Sequence, residues 1–278
     1  MSLLLQLSDP HFGTERPRVA EALRAFAEAV APDLIVVSGD VTQRARPAEF
    51  AAAADFLARL PACPRLVVPD NHDLPLFDLW SRLWAPHGGF RRCFGHERMP
   101  VLALPGLLAV GVDSTRRWRH KQGALASVQI EAVSRRLRRA RPGQLRVVVV
   151  HHPLDVADAA DEADIVRGAR EAVGAWALAG VDLVLSGHVH APLCRPLAGR
   201  YGPAARGCWA VLAGSALSTR LRSGHPNSVN LIRYAEVDGE RRCRVERHDY
   251  DEERAEFRLA GAQVVVLGGL TGGAVSAR

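Results

Sequence analysis

Histidine, aspartate and asparagine residues that can bind metal ions recur directly after short apolar runs in this sequence. They form five clusters: Asp9-Pro10-His11, Gly39-Asp40, Asn71-His72-Asp73, His151-His152-Pro153 and Gly187-His188-Val189-His190. Imidazole nitrogens and carboxylate or amide oxygens suit divalent transition metals, and none of these clusters supplies a thiolate. One such cluster alone has an ordinary structural explanation, but five in one chain favour a shared metal site.

The spacing within the clusters allows neighbouring side chains to act together. In extended chain, residues i and i+2 point to the same side, so Asp9 with His11, and His188 with His190, can each reach one small volume. A carboxylate such as that of Asp40 can bridge two cations about 3.5 to 4 Å apart. Two such ions lower the pKa of a shared water and stabilise charge on phosphate oxygens. The pattern therefore predicts hydrolysis of a phosphate ester.

Taken in order, the five clusters resemble the motifs of the calcineurin-like metallophosphoesterase superfamily: Asp-x-His, Gly-Asp, Asn-His-Asp, His-x-Pro and Gly-His-x-His. The segments LQLSDPHFG, VVSGDVTQRA and VVHHPL are similar to the bacterial cyclic-nucleotide phosphodiesterase-like branch. The resemblance implies an α/β fold, a four-layer α-β-β-α sandwich of two mixed sheets flanked by helices, with the metals at strand carboxyl ends. It also implies a hydrolase that cleaves a phosphodiester, such as a cyclic nucleotide.

The resemblance assigns a role to each motif residue. The first metal would bind Asp9, His11 and His190, and the second Asn71, His151 and His188, with Asp40 between them. His151 is chosen over His152 because the family pattern is His-x-Pro. The catalytic residue His72 would stabilise the transition state or protonate the leaving oxygen, and Asn71 and His72 would contact substrate. Asp73 either orients the His72 imidazole, as a second catalytic residue, or serves as a helix N-cap.

One position departs from the family pattern, which has glycine where this chain has Asp70. If that position requires a positive φ, aspartate costs about 1 kcal/mol there. The added carboxylate can tighten metal binding, repel an anionic substrate or point to solvent. An alternative of another class follows from this change, namely a metal-binding module that has lost turnover.

The mixed ligands favour Mn or Fe for the two divalent ions, with Zn also compatible. We find no Walker A or GxGxxG pattern that would indicate a further cofactor. The irregular stretch from Trp80 to Lys121 is a candidate wall of the substrate site, with Arg119, His120 and Lys121 as candidate substrate contacts. It also contains Arg91, Arg92, His96, Arg116 and Arg117. The enzymatic alternative is a lipid- or nucleotide-diphosphate hydrolase or a nuclease.

The composition is that of a globular cytoplasmic protein. The chain has 278 residues, of which 48% are hydrophobic, and a net charge of +6. Because the excess arginines are scattered, we expect a small phosphate ester rather than nucleic acid as the partner. The five cysteines form no CxxC pair, and the amino terminus has neither a basic n-region nor an apolar run long enough for a signal peptide or a membrane span.

Short β-branched runs alternate with segments of helical period, which is typical of α/β layering. Helices are predicted over 18–30, 48–60, 127–139 and 164–179. Strands are predicted over 3–7, 34–38, 65–68, 101–104, 108–112, 146–150, 182–186, 209–213, 229–237 and 241–249. Asp238-Gly239 predicts a hairpin turn. We expect one domain over residues 1–278, with the motifs in 9–190, C-terminal strands and a hairpin in 209–249, and a tail over 260–278 that can be flexible.

Overall fold

The computed structural model describes residues 1–76, 78–95, 97, 99–116, 121–222, 224–237 and 240–267. Two six-stranded mixed sheets form its centre. The first has the order β12-β11-β10-β1-β2-β3, with β1 to β3 parallel and β10 to β12 antiparallel. Its strands are β1 (Ser2–Leu7), β2 (Leu34–Val37), β3 (Arg65–Val67), β10 (Ser228–Val237), β11 (Glu240–Asp251) and β12 (Glu256–Leu267).

The second sheet has the order β4-β5-β6-β7-β9-β8. Its four central strands are parallel, and the strand at each edge is antiparallel to its neighbour. The strands are β4 (Val101–Leu104), β5 (Leu107–Gly111), β6 (Leu145–Val149), β7 (Leu183–Ser186), β8 (Leu193–Pro196) and β9 (Trp209–Leu212).

Helices cover the outer faces of both sheets. They are α1 (Pro17–Val30), α2 (Pro47–Ala58), α3 (Leu79–Trp84), α4 (Gly88–Phe94), α5 (Ser127–Leu137), α6 (Ala169–Leu178) and α7 (Ala198–Tyr201). The alternation of β1 shows why layers form: Leu3 and Leu5 pack with α1 and α2, whereas Leu4 faces the second sheet. On the other side, α5 and α6 bury Ile130 and Trp176 against the second sheet. The predicted four-layer sandwich is confirmed.

Three parts of the chain differ from the expectation. The helix expected over 164–179 begins at Ala169, because Gly168 before it has a φ of 86° and a separate 3₁₀ turn covers Ala159–Asp164. The short strand β8 was not predicted. The interpretation of 260–278 as a flexible tail is wrong for residues 260–267, which pair with β11 and bury Val265 and Leu267 between the sheets.

Some expectations fall outside the described residues. They concern the Asp238-Gly239 turn and residues 268–278. The strands beside that turn do pair as a hairpin requires, with Val237 opposite Glu240. None of the helices within the described ranges combines the length and apolar character needed to cross a membrane.

Candidate metal centre

The residues predicted to bind metal meet at one edge of the two sheets. Those from the first sheet follow β1, β2 and β3, and those from the second follow β6 and β7. Because the carboxyl ends of parallel strands share an edge, the packing of the two sheets brings both sets together. The predicted ligands brought to this edge are Asp9, His11, Asp40, Asn71, His151, His188 and His190.

One group of ligand atoms comes from the loops after β1 and β7. Nε2 of His190 lies 3.1 Å from Oδ1 of Asp9 and 3.3 Å from Nε2 of His11. Oδ1 of Asp9 and Nε2 of His11 are 3.8 Å apart. Since metal–ligand bonds of about 2.0 to 2.2 Å place neighbouring ligand atoms roughly 3 to 3.6 Å apart, these three side chains fit around one ion with little adjustment.

A second group surrounds the imidazole of His151. Its Nε2 lies 3.2 Å from Nδ1 of His188 and 3.6 Å from Oδ2 of Asp40. Oδ1 of Asn71 is buried and has no hydrogen-bond partner among the described residues. Asn71 lines one cavity together with Asp40 and His188. These atoms are suited to a second ion.

Asp40 stands between the two groups. Its Oδ2 is 3.6 Å from Nε2 of His11 and also 3.6 Å from Nε2 of His151. Oδ1 of Asp40 accepts a hydrogen bond from the backbone N–H of His72 at 3.3 Å. A carboxylate in this position fits the bridging role between two cations.

The donor atoms of the centre fit divalent ions on chemical grounds. Within the described part of the chain, Oδ1 of Asp9 is buried without a hydrogen-bond donor, as is Oδ1 of Asn71. Burying a carboxylate oxygen without a donor or cation costs several kcal/mol. A pair of divalent cations would offset that cost, and mixed nitrogen and oxygen ligands suit transition metals.

Five of the seven side chains come from strained backbone. Positive φ values occur at Asp9 (49°), His11 (44°), Asp40 (49°), His188 (73°) and His190 (54°). Each such non-glycine residue costs on the order of 1 kcal/mol or more and is typical of functional sites. Hydrogen bonds between the loops offset part of the strain: the N–H of His11 donates to the carbonyl of Asp40 at 3.0 Å, and that of Asp9 to the carbonyl of Gly39 at 3.2 Å.

Backbone carbonyls orient two of the histidines. Nδ1 of His151 donates to the carbonyl oxygen of Ser38 at 2.7 Å, and Nδ1 of His190 donates to that of Arg220 at 2.7 Å. Each bond places the proton on Nδ1 and leaves the Nε2 lone pair for the centre. His188 is turned the other way, with Nε2 3.6 Å from Oδ1 of Asp164 and Nδ1 towards His151.

The charges of the centre strongly influence one another. Burial raises the pKa of Asp9 and of Asp40, but the neighbouring histidines outweigh burial and hold both pKa values below the ordinary range. Burial lowers the pKa of His11 to about 3, although Asp40 and Asp9 oppose it. Burial also lowers the pKa of His151 and of His190, but the neighbouring carboxylates outweigh burial and raise both pKa values. The carboxylates thus stay ionised and His11 stays neutral, whereas His151 and His190 would release a proton on binding a metal ion.

The two predicted catalytic residues have different surroundings. His72 lines the cavity beside the centre, and its Nδ1 donates to the carbonyl of Gln43 at 2.8 Å.

Asp73 does not orient the imidazole of His72, so that expectation is wrong. Its carboxylate instead accepts hydrogen bonds from the N–H groups of Thr42 (2.8 Å) and Asp70 (3.0 Å), and burial raises its pKa to about 7. Asp73 therefore fixes the loop after β2 rather than acting as an N-cap.

Sequence reasoning missed Arg220, which follows β9. Nη1 of Arg220 lies 3.0 Å from Nε2 of His72 and 3.3 Å from Oε1 of Gln43. Arg220 and Lys121 both line a cavity of about 390 Å³ that opens over the centre. Applying the strand-end rule to β9 as well would have pointed to this loop.

The other predicted substrate contacts have separate outcomes. Arg119 and His120 lie outside the described residues, as do His96 and Arg117. Arg92 lines a different cavity, beside α2, and the guanidinium of Arg116 bonds to the carbonyl of Thr115 at 3.0 Å. Among the basic residues of that stretch that the structure describes, Lys121 lines the cavity over the centre.

The cost of about 1 kcal/mol expected for aspartate in place of the family's glycine at position 70 depended on a positive φ, which the structure does not show. The φ of −141° and ψ of −168° at Asp70 are ordinary extended values, so a side chain causes no backbone strain there. The change from the family's glycine is therefore tolerated by the fold, and its effect must come from the carboxylate.

A family model described as calcineurin-like phosphoesterase matches residues 3–192. The chain belongs to this family. The predicted family is thereby confirmed. A probable cyclic nucleotide phosphodiesterase from Synechococcus sp. is 26% identical over 170 residues. That match covers 57% of this chain and 58% of the relative, so the chain spans little more than half the length of this phosphodiesterase.

Solved structures show the same fold. A dimetal phosphatase from Danio rerio superposes with a TM-score of 0.65 at 14% identity, over 96% of this chain and 99% of that one. A purple acid phosphatase from yellow lupin (Lupinus luteus) superposes with a TM-score of 0.65 at 12% identity, over 95% of this chain and 53% of that one. At these identities the likeness concerns architecture alone.

Proposed function

We propose that this calcineurin-like phosphoesterase hydrolyses a phosphodiester with a pair of divalent metal ions. The observation that carries the proposal is the position of Asp40, whose Oδ2 is 3.6 Å from both His11 and His151. One carboxylate oxygen placed equally between two groups of metal-binding atoms is the arrangement that a two-metal site needs. An isolated structural ion would not require it.

The proposed ligands follow the two groups. The first ion would be held by Asp9, His11 and His190, the second by Asn71, His151 and His188, with Asp40 bridging. The mixture of imidazole and oxygen ligands favours Mn or Fe, with Zn as the alternative. When bound, the two ions supply an activated water and neutralise charge on the phosphate oxygens.

His72 is the proposed proton donor to the leaving oxygen. Nδ1 of His72 donates its proton in a hydrogen bond to the carbonyl of Gln43. Nε2 is therefore the atom that would transfer a proton to the leaving oxygen. Arg220 and Lys121 line the same cavity and carry positive charge. They would bind non-bridging phosphate oxygens and orient the diester towards the centre.

A cyclic nucleotide is the substrate class that we favour. The cavity of about 390 Å³ falls within the range that holds small molecules, and it is too small to enclose a folded nucleic acid. The similarity to a probable cyclic nucleotide phosphodiesterase supports the same class. The alternative of a metal-binding module without turnover arose from the change at Asp70. Because the backbone at Asp70 is unstrained, strain gives no support to that alternative.

The test is hydrolysis of bis(p-nitrophenyl) phosphate compared with p-nitrophenyl phosphate, with added Mn²⁺ and with a chelated control. We expect chelator-sensitive activity with a preference for the diester, followed by hydrolysis of cyclic nucleotides. A preference for the monoester would overturn the diester assignment and leave the metal pair in place. Stoichiometric metal binding without hydrolysis of either ester or of a cyclic nucleotide would contradict the proposal and favour a binding module.

A further inference from the structure

We infer that Asp70 is an additional ligand of the second metal position, which makes that position richer in oxygen than the family pattern provides. The inference rests on the metal pair proposed above. It concerns a residue that the motif set does not include, because the family pattern has glycine at this place.

The carboxylate of Asp70 is buried in the wall of the centre. The residue has no exposed surface, and neither Oδ1 nor Oδ2 accepts a hydrogen bond from any described residue. A buried carboxylate without donors is costly, so this side chain requires a nearby positive charge. Because the backbone at Asp70 is extended and unstrained, conformation gives no separate reason for the residue to be there.

The distances place Asp70 among the ligand atoms of the second position. Its Oδ2 is 3.5 Å from Nε2 of His151, which also lies 3.2 Å from Nδ1 of His188 and 3.6 Å from Oδ2 of Asp40. One ligand atom from each of these four residues lies within 4.8 Å of all the others. Neighbouring ligands on a metal with bonds of about 2.0 to 2.2 Å are roughly 3 to 3.6 Å apart, which matches the three distances.

The other oxygen of Asp70 faces His152. Oδ1 is 3.1 Å from Nδ1 of His152, but that nitrogen is also 2.9 Å from Oγ of Ser114. Nε2 of His152 donates to the carbonyl of Lys121 at 3.1 Å. The imidazole is thus fixed by its own partners and limits the rotation of the Asp70 carboxylate. This leaves Oδ2 directed at the metal position.

An added carboxylate changes what the second position prefers. With Asp70 it has three oxygen donors, from Asp40, Asp70 and Asn71, beside the two imidazoles. Oxygen donors favour Mn²⁺ over softer ions, and the additional negative charge strengthens binding of any cation. We therefore expect the contribution of Asp70 to be larger for Mn²⁺ than for Zn²⁺.

The test is calorimetric titration of the chelator-stripped, full-length protein with Mn²⁺ and separately with Zn²⁺, without substrate. We expect the native chain to bind two equivalents. Asp70→Asn and Asp70→Gly should weaken the second Mn²⁺ equivalent by at least about tenfold, the first by less, and Zn²⁺ by less than Mn²⁺. Asp113→Asn is the matched control, because Asp113 is a buried carboxylate after β5 whose Oδ1 accepts from Thr115, as an amide oxygen can.

The outcomes separate this inference from the proposed function. In one outcome the native chain binds two Mn²⁺ ions, and the Asp70→Asn protein, shown by circular dichroism to be folded, binds both with unchanged affinity. Asp70 would then pair with His152 alone, and the inference would be overturned. If the native chain itself binds fewer than two ions, the metal pair fails and the inference fails with it. If Asp113→Asn lost as much Mn²⁺ affinity as Asp70→Asn, the effect would be general destabilisation of the protein. That result would also overturn the inference.

Discussion

The guanidinium of Arg220 lies against the imidazole of His72, with Nη1 of Arg220 3.0 Å from Nε2 of His72. Because Nδ1 of His72 is used by the carbonyl of Gln43, Nε2 is the atom that this positive charge acts on. Arg220 can therefore both bind a phosphate oxygen and hold the imidazole of His72 in place beside it. The pair connects the loop after β9 to the chemistry of the loop after β3.

His72→Ala should lower kcat for the diester by roughly 10²- to 10⁴-fold, the usual contribution of a general acid, while both metal equivalents remain bound. Arg220→Gln should lower kcat/KM by roughly tenfold to a hundredfold through the loss of a charge-assisted hydrogen bond. In the double variant the losses should be less than additive. Steady-state kinetics of the two single variants and of the double variant measure these losses in rate.

Arg135→Gln is the control for Arg220→Gln, since Arg135 forms an exposed ion pair with Glu131 on α5 and should leave the kinetics unchanged. Additive losses in the double variant would show that His72 and Arg220 act independently.

Asp40→Asn should abolish turnover and the stable binding of both ions, because the amide keeps the shape of the bridging carboxylate but not its charge. Metal content after gel filtration and hydrolysis of the diester measure the two losses. Asp33→Asn is the control, as Asp33 lies at the opposite end of β2 and its side chain accepts from the N–H of Leu3. Full activity in the Asp40→Asn protein would exclude the two-metal site.

Metal removal should lower thermal stability. Ions present at about a thousandfold excess over their Kd add about 4 kcal/mol to the free energy of unfolding, which for a chain of this size raises Tm by on the order of 10 °C. Calorimetric scans with Mn²⁺ and with chelator measure the difference. It should disappear in Asp40→Asn, and a chelator effect of the same size in that variant would mean that the stabilising ions bind elsewhere.

Gly39→Ala should destabilise the protein and weaken the second metal position together. Gly39 has a φ of 103°, and a Cβ there would lie 2.3 Å from Nδ1 of His151. Gly95→Ala is the matched control, with a φ of 96° and nothing within 4 Å of its Cβ. Urea unfolding should show a loss of about 1 to 3 kcal/mol in Gly95→Ala from backbone strain and a larger loss in Gly39→Ala. Equal losses would mean that the His151 ring moves aside freely.

Asp155 should contribute stability that depends on pH. Burial raises its pKa, but hydrogen bonds from Arg195 and Arg200 outweigh burial and lower the pKa below its ordinary value of 3.8. A lowered folded-state pKa means that the stabilisation is complete above about pH 4 to 5 and is lost as the pH falls through the folded pKa.

Asp155→Asn should therefore cost about 1 to 2 kcal/mol near neutral pH, a value reduced because Arg195 and Arg200 are partly exposed. The difference from the native chain should shrink below pH 4, as followed by urea unfolding. A difference that stays constant down to pH 2 would show that packing, rather than charge, stabilises this position.

The residues of the candidate metal centre could be predicted from the sequence because a simple rule connects them to the fold. Each stands directly after an apolar strand, and parallel strands bring their carboxyl ends to one edge. The i, i+2 argument for Asp9 with His11 and for His188 with His190 assumed extended chain. All four residues have a positive φ instead, and His188 and His190 lie in different groups of ligand atoms. The sandwich itself followed from the family resemblance rather than from periodicity.

What the sequence did not reveal depends on contacts between distant loops. Arg220 stands in a loop without a metal-binding motif, and its significance comes from its distance to His72. The backbone at Asp70 could not be inferred from the identity of the family residue, because a glycine can be retained for space as well as for a positive φ. Likewise, β12 became recognisable as a strand through its pairing with β11.

The candidate metal centre joins residues that are far apart in the sequence. Asp9 hydrogen-bonds to the backbone of His188, and His11 contacts His190, across 179 residues of sequence in each case. Neither sheet can assemble the site alone, so an ion bound there would link two layers that are formed by different parts of the chain. The first sheet also needs β10 to β12, which follow His190 in the chain, so it is complete only after these strands have been made. Contacts of such long range slow folding.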